Sequence, residues 1–260
     1  MAKIICPNQI YLPKPWGSEA WLCSTLSKNQ TFVGDMPLSQ VLGEETLLVK
    51  IIEAKEKLSV QVHPDDIMCP GEGKTECWFI LESGEDSALV YGLDGVADDK
   101  VKDVVLGGEI GKYLHYEKVK AGDFVFVPAG VVHAIGENIK ILEIQQSADI
   151  TYRVYDWGRD REIHVEKSAE MMEKVSQKQR NIFKGFLDEF ECDFFKVKSL
   201  KISGEEKVDF ASSGNCGFFV VDGNITIDSE NFNKGQWGFL QDAKNPSFAG
   251  KGHIFLWKKN

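Results

Sequence analysis

The sequence has no long apolar run. Its 260 residues are 43% hydrophobic and 27% charged, which is the composition of an ordinary globular protein. Apolar stretches such as FVFVPAGVV stay far below the ~20 residues that a membrane span needs. The opening MAKIICPNQI lacks the apolar core of a signal peptide. We therefore expect a cytoplasmic protein with no membrane partner.

Basic charge is also scarce, since 30 Lys and Arg stand against 40 Asp and Glu, for a net charge of -10. A nucleic-acid partner is not expected, because binding it requires a basic face. The six cysteines form no CxxC pair, which disfavours a zinc ribbon or a thioredoxin-like site. A Gly-rich nucleotide loop is missing as well. A small anionic substrate held by a few Lys or Arg remains compatible with this composition.

Short apolar segments bounded by turn residues fill much of the chain, as in a β-sandwich or barrel. They are LLVKIIEA, LSVQVHP, CWFILES, SALVYGL, DFVFVP and IKILEIQQ. The stretch HVEKSAEMMEKVSQKQRNIF predicts a helix, and strands then resume, with Asp222-Gly223 expected as a hairpin turn. We predict a mainly all-β protein with a metal-binding domain (1–160), a helical connector (161–190) and a smaller β domain (191–260).

Polar residues alternate along one predicted strand. Ser59, Gln61 and His63 share one face of LSVQVHP, and such a polar face is costly inside a sandwich unless something satisfies it. Lys74 and Glu76 share a face in the same way, whereas Cys77 points to the other side.

The segment from Gly122 to His133 ends in a Pro-x-Gly turn that delivers His133 at a fixed point. Together with the alternating segments it gives Gln61, His63, Glu76 and His133, a set of oxygen and nitrogen donors. Such a set suits a divalent metal and fits zinc well. Cysteine ligands are not expected, because Cys77 lies on the wrong face.

These motifs resemble a known family. LSVQVHPDD, GKTECWFIL, AGDFVFVPAGVVHAIG and ILEIQQSADITYRVYDWGR look like the type I mannose-6-phosphate isomerases of the cupin superfamily, in their short bacterial form. The match runs from about Pro15 to Lys167, and the last third of the chain matches only in outline. The resemblance implies a cupin jelly-roll β-sandwich, a short helical connector and a second, smaller cupin-like β domain without ligands.

The resemblance also implies a function. The expected activity is the zinc-dependent interconversion of mannose 6-phosphate and fructose 6-phosphate through an enediol, with a phosphorylated hexose as the partner. One zinc per chain would be held by Gln61, His63, Glu76 and His133. The proton-transfer base stays open between Glu143 and zinc-bound water. The implied catalytic residues are Arg153, Lys74 and Glu143, and the implied substrate-binding residues are Ser59, Lys74, Arg153 and Glu19.

Two other functions stay open. Two histidines and one carboxylate also form the metal triad of non-haem iron oxygenases, although Gln61 and a nearby Lys74 favour the isomerase. A non-catalytic sugar-binding cupin is the second alternative. Such a protein could lose its metal ligands or the basic pair Lys74 and Arg153, whereas this sequence keeps both. The oligomeric state is not predicted.

Overall fold

The computed structural model describes residues 3–185 and 187–260, and its fold is mainly β, as predicted. The first ten strands are β1 (Lys3–Ile5), β2 (Ile10–Lys14), β3 (Gly17–Cys23), β4 (Phe32–Val33), β5 (Met36–Pro37), β6 (Leu48–Ala54), β7 (Val60–Val62), β8 (Glu76–Ser83), β9 (Ala88–Leu93) and β10 (Leu114–Lys118). The following strands are β11 (Phe124–Val127), β12 (His133–Ala134), β13 (Ile139–Gln145), β14 (Tyr152–Tyr155), β15 (Ile182–Phe183), β16 (Glu189–Glu191), β17 (Phe195–Lys207), β18 (Asn215–Ile227), β19 (Glu230–Asn233), β20 (Trp237–Gln241) and β21 (Ser247–Lys259). The α-helices are α1 (Leu38–Leu42), α2 (Val101–Leu106) and α3 (Val165–Met172).

The chain forms two compact units, which we call the sandwich unit (11–21 and 48–185) and the second unit (3–10, 22–47 and 187–260). These units differ from the predicted domain bounds at the N-terminal end of the chain. The physical reason is strand pairing, because β1 hydrogen-bonds to β20 with Lys3 opposite Gln241.

Two antiparallel sheets build the sandwich unit. Their strand orders are β15-β11-β8-β13-β6-β3-β2 and β10-β9-β12-β7-β14. Apolar side chains from both sheets meet in one core, which includes Ile52, Trp78, Tyr91, Val125 and Ile141. On the five-stranded sheet a second apolar cluster packs β7, β9, β12 and β14 against α2 and α3. Apolar side chains thus cover part of both faces of the five-stranded sheet. This packing holds in place the strands that carry the alternating polar residues.

In the second unit one sheet has the order β1-β20-β18-β21-β17-β16, with β19 paired to β18. The predicted turn at Asp222-Gly223 is wrong, because β18 continues through these residues and pairs with β21 on both sides of them. The strand carries a bulge between Val220 and Asp222 instead, and Gly223 takes a positive φ of 78° there. The reversal follows β18, at Asp228.

The predicted helix in 164–183 is shorter than expected. Helix α3 ends at Met172, and the chain then returns to the sandwich, where the Leu93 amide donates to the Gln177 carbonyl and β15 pairs with β11. Tertiary hydrogen bonds thus override the helix propensity of this stretch. Within residues 3–185 and 187–260, no helix is long and apolar enough to cross a membrane.

Candidate metal centre and active site

The five-stranded sheet brings three of the predicted site residues side by side. Gln61 on β7 lies opposite His133 on β12 and opposite Arg153 on β14. Residues directly opposite each other in an antiparallel sheet project from the same face. His63, two residues beyond Gln61, follows the strand end on that face. The predicted alternation of polar side chains is therefore present in the sheet.

The other sheet supplies Glu76, the first residue of β8. Ligand atoms of His63, Glu76 and His133 all lie within 4.8 Å of one another. Nε2 of His63 is 3.5 Å from one Glu76 carboxylate oxygen, and Nε2 of His133 is 3.4 Å from the other. All three side chains are buried. Among the described residues, this cluster is the candidate metal site and contains no cysteine.

Both histidines direct the same nitrogen at this cluster. Nδ1 of His63 lies 3.0 Å from the Ile150 carbonyl oxygen, and Nδ1 of His133 lies 2.9 Å from the Val131 carbonyl oxygen. A carbonyl oxygen only accepts hydrogen bonds, so the proton sits on Nδ1 in each ring and the lone pair sits on Nε2. This backbone anchoring is the usual arrangement of a metal-binding histidine.

The polar atoms of the cluster are incompletely satisfied by protein groups. The Lys74 ammonium contacts Nε2 of His63 at 2.9 Å and also binds the Glu76 carboxylate. Nε2 of His133 is buried and has no hydrogen-bond partner. Since an unpaired buried polar atom is costly, a cation bound by these three residues fits their chemistry. Burial and Lys74 hold the pKa of His63 well below its usual value, and burial lowers the pKa of His133 to about 4. Both rings are therefore uncharged at pH 7, and each can offer a nitrogen lone pair to a metal ion.

The Pro-x-Gly turn places His133 close to His63, as the sequence predicted. Gly130 has φ of +84°, a conformation that favours glycine. A Cβ at this position would lie only 2.9 Å from a Val175 methyl group. The Gly130 amide donates to the His63 carbonyl at 2.9 Å. The turn therefore joins the two segments that carry the histidines.

A second buried carboxylate lies beside the cluster. Glu143 on β13 faces Lys50 on β6, and its carboxylate is 3.2 Å from the Lys50 ammonium. The indole Nε1 of Trp78 donates to both Glu76 (3.0 Å) and Glu143 (3.1 Å). Trp78 therefore fixes the two carboxylates relative to each other.

The two carboxylates differ in pKa because nearby positive charges compensate them to different extents. Burial raises the pKa of Glu76 to about 7, with the Glu143 charge adding to the rise. Burial would raise the pKa of Glu143 too, but Lys50 and Lys74 outweigh it and the pKa lies below its usual value. Glu143 is therefore an ionised carboxylate at neutral pH.

A cavity of about 170 Å³ opens beside these groups. Glu19, which the sequence placed near the site only by resemblance, lies in its wall and accepts a hydrogen bond from Nε1 of Trp21 at 2.7 Å. Charged and polar side chains dominate the lining, and those predicted from the sequence are Glu19, Ser59, Gln61, Lys74, Glu143 and Arg153. The structure thus collects these residues in one cavity.

Arginines form one part of the cavity wall, where Arg153 and Arg161 both line it. Asp156, only 1% exposed, accepts two hydrogen bonds of 2.6 Å from Arg161 and also binds Arg159. Arg153 donates to the Glu162 carbonyl at 2.6 Å, and its buried Nε has no partner. Arg159 and Arg161 thus pair with the buried Asp156 carboxylate, whereas the Arg153 guanidinium binds a backbone carbonyl.

Comparison with known proteins gives clear relatives, although no family model matches the chain. The chain is 40% identical over 176 residues to mannose-6-phosphate isomerase ManA of Bacillus subtilis, covering 61% of this chain and 56% of that protein. It is 32% identical over 236 residues to the "Putative mannose-6-phosphate isomerase YvyI" of the same organism, covering 81% of this chain and 73% of that protein. The chain belongs to the mannose-6-phosphate isomerase family. It spans little more than half the length of ManA.

Solved structures of family members share the fold. The crystal structure of the Bacillus subtilis mannose 6-phosphate isomerase superposes with a TM-score of 0.82 at 24% identity, covering 99% of this chain and all of that one. A mannose 6-phosphate isomerase bound with zinc and yttrium superposes with a TM-score of 0.72 at 13% identity, over the full length of both chains. This likeness confirms the predicted cupin fold.

Sequence reasoning missed Lys50 and Trp78 in this member of the family. Lys50 is the one charged residue in the apolar run LLVKII, and it is 4% exposed. A buried lysine needs a carboxylate partner, so the charge in this run was the available signal. Trp78 gave none, because a tryptophan in an apolar strand predicts packing.

Proposed function

We propose that this chain is a zinc-dependent mannose-6-phosphate isomerase. The observation that carries the proposal is the buried His63, Glu76 and His133 cluster, which has an unpartnered imidazole nitrogen. Lys74 contacts this cluster and also lines the cavity, together with Lys50 and other charged groups. Membership of the family and the zinc in a structurally similar relative support the same function.

We propose that Gln61, His63, Glu76 and His133 hold one zinc ion per chain. Zinc, when bound, acts as a Lewis acid that polarises the sugar carbonyl. A divalent ion would take over the contacts that the Lys74 ammonium makes with His63 and Glu76. Lys74, which also lines the cavity, would then be available to the substrate.

The chemistry moves one proton between neighbouring carbons of the open-chain sugar. Glu143 removes the proton from C2 of the aldose, and protonation of the carbonyl oxygen completes the enediol. Glu143 then returns its proton to C1 while the O2 hydroxyl loses a proton, which balances the one that the carbonyl oxygen gained and gives the ketose. Lys50, 3.2 Å from the Glu143 carboxylate, keeps this base ionised, while Lys74 and Arg153 stabilise the negative charge that develops on oxygen.

The arginine-rich wall anchors the phosphate in this proposal. Guanidinium groups bind phosphate oxygens with paired hydrogen bonds, and Arg153 and Arg161 line the cavity. Ser59, 5% exposed in the same cavity, adds a hydroxyl. Fixing the phosphate aligns C1 and C2 with the base and the metal.

A coupled assay of fructose 6-phosphate formation from mannose 6-phosphate tests the proposal. The protein is measured as purified, after chelation, and after reloading with zinc or ferrous iron. Activity that disappears on chelation and returns with zinc is expected. Oxygen consumption after iron loading would favour the oxygenase, and sugar binding without turnover would favour the non-catalytic cupin. The cytoplasmic location stays a prediction from the sequence.

A further inference from the structure

Gln177 is a buried amide whose two ends are both engaged. The residue lies beyond the end of α3 and is 1% exposed. Its side-chain oxygen accepts a hydrogen bond from the Val132 amide at 3.0 Å. Its side-chain nitrogen donates to the Gly130 carbonyl at 2.8 Å and to the Met172 carbonyl at 3.1 Å. One side chain therefore fastens the 130–132 backbone to the end of α3.

The fastened backbone directly precedes His133. The peptide groups that Gln177 holds, at Gly130 and Val132, flank Val131, whose carbonyl oxygen accepts the Nδ1 proton of His133. The direction of that carbonyl determines both the ring orientation of His133 and which of its nitrogens carries the lone pair. A shift of the turn would therefore misplace Nε2, the atom that faces Glu76 at 3.4 Å.

Gln177 is itself held in place. Its backbone carbonyl accepts from the Leu93 amide at 2.9 Å, and the Gly92 amide donates to the Val132 carbonyl at 2.7 Å. Strand β9 thus supports both the amide and the turn that it holds. A support for a ligand that is itself fixed can preorganise that ligand.

We infer that Gln177 is a positioning residue of the metal centre, acting through the 130–132 turn to present Nε2 of His133. The inference rests on the metal site of the proposed function. Residues that orient a histidine ligand typically change metal affinity by roughly 10–100-fold when they are replaced. A purely structural amide would change stability and leave metal affinity unchanged.

Zinc affinity of the full chain tests the inference. The metal-free protein is titrated with zinc against a chromophoric chelator, and folding of each variant is checked by circular dichroism. We expect Gln177→Leu to raise the zinc Kd by roughly 10–100-fold. Saturating zinc should restore most of the turnover, because Gln177 does not touch the reacting groups.

Ser87→Ala is the matched control. Ser87 is also buried in the sandwich unit, and its hydroxyl binds the Glu137 and Asn138 carbonyls, a turn that carries no ligand. Its loss should reduce stability and leave the zinc Kd within threefold of the wild type. An equally small change in Gln177→Leu would overturn the inference.

A second variant covers the case in which Gln177→Leu does not fold. Gln177→Glu keeps the acceptor for the Val132 amide and loses the donor to the Gly130 carbonyl. NMR of the metal-free protein reports the imidazole tautomer of His133, which we expect to be Nδ1-protonated in the wild type and mixed in Gln177→Glu. An unchanged tautomer with an unchanged zinc Kd would overturn the inference. Failure of the proposed function is distinguishable, since it would appear as zinc-loaded wild type without isomerase activity.

Discussion

The two units of the molecule differ in the side chains that they bury. Among residues 3–185 and 187–260, the buried acidic and basic side chains all belong to the sandwich unit. They are Glu19, Lys50, His63, Lys74, Glu76, Asp123, His133, Glu143 and Asp156. The second unit buries neutral polar groups such as Thr31 and Ser199, with a core rich in phenylalanine.

Both units are antiparallel β structures, so architecture does not explain this difference. Removing a charge from water costs several kcal/mol, and the second unit forms its sheet without that cost. Buried charges with opposed pKa shifts, as in Glu76 and Glu143, are typical of functional sites. The buried charges of the sandwich unit therefore mark it as the unit in which a functional site is expected.

The largest effect is expected from removing a metal ligand. His133→Ala should lose zinc and reduce turnover by roughly 1000-fold or more, because Lewis-acid stabilisation supplies several kcal/mol. Elemental analysis and the coupled assay measure both quantities. His253→Ala, in the second unit, is the control and should keep zinc and turnover. Full activity of zinc-free His133→Ala would contradict the proposed metal centre.

The next effect concerns stability. Lys50→Met removes the ammonium that pairs with the buried Glu143 carboxylate, which should reduce the free energy of unfolding by about 3–5 kcal/mol. Lys196→Met, in the second unit, breaks the exposed ion pair between Lys196 and Glu191, whose atoms lie 2.6 Å apart. This variant should change the free energy of unfolding by less than about 1 kcal/mol. Urea denaturation measures both. Equal losses would show that burial of the Lys50–Glu143 pair carries no special cost.

Strand periodicity explains why the sequence predicted that polar side chains share one face of the sheet. His63 and Gln61 share a face because strand side chains alternate, and Gly130 forces the turn before His133. Such short-range rules need no knowledge of the fold. They also predicted β6, β8 and β13 at nearly their observed positions.

Long-range pairing set the limit of that reasoning. The contact between Lys50 and Glu143 joins residues that are distant in the sequence, and only the register of β6 against β13 brings them together. The same holds for β1, whose partner β20 lies at the far end of the chain. The turn predicted at Asp222-Gly223 failed because pairing with β21 outweighs a local turn signal.

Replacing Arg153 tests the chemical step separately from metal binding. If the arginine stabilises developing negative charge, Arg153→Ala should reduce turnover by roughly 100–1000-fold, or ~3–4 kcal/mol, with zinc retained. A rise in KM with unchanged kcat would instead indicate uniform phosphate binding. Arg153→Lys should rescue only partly, because the planar fork is lost.

Lys258→Ala is the matched control for Arg153→Ala. Lys258, in the second unit, also donates to backbone carbonyls, those of Ser212 and Ser213. Its replacement should leave zinc content, kcat and KM unchanged. Near-normal values of all three in Arg153→Ala would mean that Arg153 has only a structural role.

The smallest effect is the pH dependence of the second unit. Burial and nearby Lys201 lower the pKa of His253 to about 4, below the ~6.5 of an unfolded chain. The folded state therefore favours the neutral ring, which lies 2.6 Å from the Ser199 hydroxyl. Its stabilising contribution is complete above pH ~6.5 and is lost as the pH falls toward 4.

His253→Gln tests this dependence, because the amide cannot be protonated in this range. The difference in unfolding free energy between wild type and variant should shift against the wild type as the pH falls from 6.5 to 4. Its slope should be below the ~1.4 kcal/mol per pH unit of one fully linked proton, since solvent screens a partly exposed ring. Urea denaturation at several pH values measures it. Parallel pH curves for the two proteins would show that titration of His253 does not affect the stability of the second unit. The difference between the two units in buried titratable groups would then be larger.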